Sequence, residues 1–152
     1  RMMLSLTIVF FIYYVILFIK GNPYHRMRIL FGEEEIRKQK LGIDSYKPDE
    51  TLVVKSLLLL LFLVPFSITS IIYLCVGVQI DPYKYPTLVL LVIYIISFLW
   101  GVINGRKKVD LSSEEKILKY RKKLEKKRTL NGTFFQILWI AYFSYMAYFL
   151  IF

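Results

Sequence analysis

The stretch "SLLLLLFLVPFSITSIIYLCVGV" fills residues 56–78, 23 in a row without Asp, Glu, Lys, Arg or His. A hydrocarbon core about 30 Å thick is crossed by about 20 residues of helix. Within it every backbone N–H and C=O must be paired inside its own segment, so an apolar block of this length is a helix. Three further blocks lack charge, at 2–19, 86–103 and 133–152. The chain as a whole is 57 % hydrophobic, with a mean hydropathy of +0.51. A soluble domain has about 45–50 % apolar residues. The expected fold is all-α: one polytopic membrane domain over residues 1–152 with four transmembrane helices. The first block exceeds the apolar core of a signal peptide, about 7–15 residues, and Lys20-Gly21-Asn22-Pro23 is a poor cleavage site. A retained helix is expected there.

Nineteen of the 21 Lys and Arg residues fall in two connections, 20–55 and 104–132. The short connection at 79–85 carries only Lys84. Cytoplasmic loops collect Lys and Arg beside helix ends. Both long connections are therefore expected to be cytoplasmic, with both termini and residues 79–85 outside. Alanine occurs only at Ala141 and Ala147, while Ile, Phe, Tyr, Lys and Leu abound. That bias suits an AT-rich genome and leads to the expectation of a bacterial plasma membrane.

The densest run, "KILKYRKKLEKKR" at 116–128, holds eight cations and one aromatic, Tyr120. Single-strand nucleic-acid binders interleave aromatic platforms with their cations, and nucleic acid is not expected as a partner. Held between two membrane helices, the run is expected to meet anionic headgroups, worth about 1 kcal/mol per basic residue, or an acidic protein. The contact residues read this way are His25, Arg26, Arg28, Lys119, Arg121, Lys122, Lys123, Lys126, Lys127 and Arg128.

Two short cytosolic helices are expected, at 33–41 and 113–128. In the second, Ser112 and Glu115 suit a capping box, and Ile117, Tyr120 and Leu124 share one face. In the first, Glu33–Arg37 and Glu34–Lys38 are i,i+4 pairs with the acid leading, and Gly42 suits the position after the helix.

Within the blocks, Pro65 removes one backbone bond and is expected to kink its helix, with nearby hydroxyls at Ser67, Thr69 and Ser70 covering the freed carbonyl. Ser97, Gly101 and Gly105 recur every four residues. Such a stripe lets helices approach closely, within the chain or between copies.

No catalytic residue, cofactor or metal site is expected. There is one histidine, His25, and one cysteine, Cys75. No P-loop, H-E-x-x-H, G-x-S-x-G or G-x-G-x-x-G run occurs. Four helices with two cytosolic connections also describe the small membrane enzymes of eicosanoid and glutathione metabolism, but their Glu-Arg-x-x-Arg-Ala-x-x-Asn run is replaced here by "EEEIRKQKLG", without the Ala and Asn. The expected function is non-enzymatic, through protein–protein contact, as an accessory subunit of a membrane complex or an immunity or resistance factor. A homo-oligomeric channel or transporter component is the first alternative, and a membrane enzyme on lipid substrates the second.

Overall fold

The computed structural model describes residues 1–42, 44–107, 110–126 and 128–152. Among these described residues six helices follow in order: α1 (Met2–Lys20), α2 (His25–Leu41), α3 (Glu50–Ile80), α4 (Tyr85–Gly105), α5 (Glu114–Glu125) and α6 (Leu130–Ile151). The fold is all-α, and α1, α3, α4 and α6 supply four spans long and apolar enough to cross a membrane. The long connections meet at one end of the bundle, the basic end. Both termini and residues 81–84 lie at the other, the far end.

Helix starts follow local caps. Asp49 accepts from the Thr51 N–H at 3.0 Å, so α3 begins six residues before the uncharged block. At 1.5 Å per residue α3 is about 46 Å long, more than the hydrocarbon core requires, and its charged first turns stand beyond the apolar part. Ser113, not Ser112, caps α5 by accepting from the Lys116 N–H at 3.3 Å. Thr129 caps α6 through the Gly132 N–H at 3.1 Å. The expected helix at 33–41 begins at His25 instead. Asn22 accepts from the Tyr24 N–H at 2.9 Å, which turns the chain after Gly21. The acidic triplet lies mid-helix, where its partners come from elsewhere in the fold.

Because the chain has almost no alanine, its core is aromatic. α1 and α6 pack through Phe10 stacked on Phe143 (centroids 5.3 Å) and Tyr14 stacked on Trp139 (5.5 Å). Tyr73 of α3 meets Phe10 and Phe143 edge-on, each at 5.5 Å. Leu74, Leu90, Tyr142 and Met146 complete the cluster.

The close approach between helices occurs at Gly77, where a Cβ would meet Thr87 Cγ2 at 3.1 Å and the Tyr142 hydroxyl at 3.3 Å. A Cβ on Gly101 or Gly105 would meet nothing within 4 Å, and Ser97 is exposed. Among the described residues the stripe therefore makes no close helix contact within the chain. α3 runs unbroken through Pro65. Thr69 Oγ1 donates to the Pro65 carbonyl and Ser70 Oγ to that of Phe66, each at 2.8 Å. Those two hydroxyls thus serve carbonyls one turn beyond the one that proline frees.

At the far end the Asp81 carboxylate, 2 % exposed, organises the α3–α4 turn. It accepts from the N–H groups of Tyr83 (3.0 Å) and Thr87 (3.2 Å), the Thr87 hydroxyl (2.7 Å) and the Tyr145 hydroxyl (2.5 Å). In the same turn the Lys84 N–H donates to the Asp81 main-chain carbonyl at 3.2 Å, and Lys84 sits at φ 59°, a left-handed conformation that costs a non-glycine residue about 1–3 kcal/mol.

Candidate functional site: the basic end

α2 and α5 come from different connections and pack on each other. Ile36 of α2 is buried against Ile117 of α5 and Leu111 just before it, with Tyr120 alongside. Leu124 lies over Gly32, so closely that any Cβ there would collide with it. Arg121 grips Glu33 with two bonds, Nε–Oε1 at 3.0 Å and Nη2–Oε2 at 3.2 Å. That pair is nearly half exposed, and surface pairs contribute about 0–1 kcal/mol. Burying Ile36, Ile117 and Leu124 contributes about 1.5–3 kcal/mol each. Packing therefore holds the unit together, and the bidentate pair fixes its register.

The rest of α2 is tied down on its other side. Glu34 accepts from Arg37 Nη2 at 2.6 Å and from the Tyr46 hydroxyl at 2.5 Å. Those two hydrogen bonds, Tyr46 first, hold its carboxyl below the ordinary value. Arg37 also donates to the Lys47 carbonyl at 2.7 Å, which folds the segment after α2 back on the helix. The expected i,i+4 pairs are thus replaced: Glu33 goes to Arg121 and Glu34 to Arg37. At the start of α5, the Lys116 ammonium on Asp110 draws that carboxyl down to about 2.

The contact residues named from sequence divide by position. Arg28 and Lys123 face a common cleft of about 630 Å³ between α2, α5 and the basic ends of α3 and α4. His25 and Arg26 line a different hollow, at the α1–α2 turn beside Lys20. Arg121 is engaged with Glu33, and Lys119 pairs with Glu115 at 3.1 Å on the open surface. Lys122 and Lys126 are exposed. Arg128 Nη2 donates to the Ile19 carbonyl at 2.6 Å, tying the start of α6 to the end of α1, where a cation suits the helix dipole. Lys127 lies outside the described residues.

The cleft also takes in residues that the sequence does not mark as contact residues: Arg106, Lys107, Glu35 and Lys38, the last of which reads there only as a partner of Glu34. The signal was present, since Arg28, Phe31, Glu35 and Lys38 recur at helical spacing. It is readable only once the helix is known to begin at His25. Gly32 had no sequence signal, because its reason is a side chain 92 positions later. Its substitution by leucine is expected to push α5 off α2, at a cost of about 1–3 kcal/mol. Hydrogen exchange would show this as faster exchange confined to α5 and the 24–41 segment.

Compared with known protein families, curated proteins and solved structures, the chain matches none of them.

Proposed function

We propose that this is a non-enzymatic integral membrane protein that works by contact, as an accessory subunit or an immunity or resistance factor, through its basic end on the cytosolic side. One observation carries the reading. Two helices from separate connections are packed and paired into a single unit, while Lys119, Lys122 and Lys126 stay on its outer surface. A basic run that only sets topology needs no partner helix, whereas a docking face needs a fixed arrangement of charge. Such a face fits an acidic partner, since charge complementarity sets association rate and register.

The test is purification from the source cell in native nanodiscs, followed by intact-complex mass spectrometry. A heteromeric assembly is expected, and the double reversal Lys119→Glu/Lys122→Glu should release the partner. A bare chain, or an assembly indifferent to the reversal, would count against docking at this face.

A second contact, within the membrane, is favoured by the open stripe Ser97/Gly101/Gly105 on α4. It suits a helix of a partner or of another copy, and the latter is the arrangement a homo-oligomeric channel would use. Gly101→Leu should leave the chain's own stability within about 0.5 kcal/mol but weaken assembly by holding the helices apart. Thermal unfolding and multi-angle light scattering in detergent read the two effects separately. An unchanged assembly would mean that the stripe faces lipid.

A further inference from the structure

Two clefts flank α2, and their charge differs. One, about 640 Å³ between α2 and the start of α3, mixes Arg37, Lys40 and Lys55 with Glu33, Glu34 and Asp49. The other, about 630 Å³, gathers Arg28, Lys38, Arg106, Lys107 and Lys123 around one carboxylate, Glu35. Among the described residues, Arg28, Arg106, Lys107 and Lys123 have no ion-pair partner. Glu35 itself accepts from Gln39 at 3.2 Å. A concave wall of one sign focuses its field and concentrates ions of the other sign.

The same cleft has an apolar side, with Met27 and Leu59 in its lining. Those two residues and Tyr24 also line an adjoining groove of about 360 Å³, which continues along α3 past Leu58 to Phe62. The cationic head site thus adjoins a shallow, largely apolar surface groove, with Lys55 at its edge, that runs along α3 into the uncharged part of a membrane-spanning helix. Soluble anions have no use for the second half of this arrangement.

We propose that the cleft binds one anionic phospholipid from the surrounding bilayer. Its phosphate lies among Arg28, Arg106, Lys107 and Lys123, and an acyl chain follows Met27, Leu59 and Phe62. Arginine and lysine here contribute charge-assisted hydrogen bonds to phosphate oxygens, and the groove supplies the apolar contact that keeps the lipid in one place. This site stands independently of the protein-docking reading, because it uses the inner wall of the unit and not its outer lysines.

Delipidated protein in detergent, titrated with phosphatidylglycerol and followed by native mass spectrometry, tests it. One lipid is expected to be retained, at least about tenfold more tightly than phosphatidylcholine. Each basic residue near an anionic headgroup is worth about fivefold in affinity, so Arg28→Gln/Lys123→Gln should weaken binding about 25-fold. Lys119→Gln/Lys122→Gln, with the same loss of charge on the outer surface, should leave it unchanged. If the first double variant fails to fold, Arg106→Gln at the end of α4 carries the same test, with about a fivefold loss. Equal binding of the two lipids, or equal losses from the inner and outer variants, would overturn the proposal in favour of diffuse attraction. Glycerol phosphate bound as tightly as the phospholipid would overturn it in favour of a soluble anion.

Discussion

Asp81→Ala is expected to destabilise the protein by about 2–4 kcal/mol, read as a large fall in unfolding temperature in detergent. The carboxylate serves four donors in a site that is almost fully buried. Hydrogen bonds to a charged group contribute about 1.5–3 kcal/mol, and each donor left unpaired and buried costs about 1–3 kcal/mol. The upper part of that range is not expected, because the backbone donors at the turn can turn to water once the loop loosens. Burial alone would raise the Asp81 carboxyl, but bonds from Tyr145, Thr87 and the two backbone N–H groups outweigh it and leave it below its ordinary 3.8. A folded value below the unfolded one means that this stabilisation is present at neutral pH. It is lost as pH falls through the carboxylate range. Wild type should therefore lose stability on acidification below about pH 4, with a steeper slope than Asp81→Asn. Identical acid profiles for the two would show that the carboxylate's charge contributes nothing.

Phe143→Ala should cost a similar amount, about 2–4 kcal/mol. Phe143 is 2 % exposed and its ring lies against five others: Phe10, Tyr14, Tyr73, Trp139 and Tyr142. In a soluble core a Phe→Ala change costs about 3–5 kcal/mol, part of it transfer from water. In a bilayer the competing environment is lipid, so the packing part remains and the transfer part shrinks. The loss should appear as separation of α1 from α6, since this ring joins them. Phe134→Ala, on the exposed side of the same helix, should change little.

The all-α membrane architecture was readable because bilayer thickness converts directly into the length of an uncharged block. The basic end was less readable. Glu33-Glu34-Glu35 followed by Arg37 and Lys38 suggests a helix start with local pairs, and nothing nearby announces that Arg121, 88 positions away, claims Glu33. Glycine spacing left open, for the same reason, whether the contact lies within the chain or between copies. Ser97, Gly101 and Gly105 make a recognisable pattern yet, among the described residues, close on no neighbouring helix of the chain, and Gly105 lines the cleft, while Gly77, with no pattern around it, is where α3 meets Thr87 and Tyr142. Sequence period reports which residues share a face. It does not report which face finds a neighbour. The cleft stayed hidden because its cations come from α2, α5 and the end of α4, and their joint placement exists only in the fold.

The most direct test of the central claim, that the packed basic unit faces the cytosol, is sidedness. In a Cys75→Ser background, single cysteines at Lys84 and Lys122 are exposed in intact cells to a maleimide that cannot cross the membrane. The account predicts labelling of Lys84→Cys from outside, and of Lys122→Cys only after the membrane is permeabilised. Labelling of Lys122→Cys in intact cells would contradict it, because the docking face would then look away from any cytosolic partner.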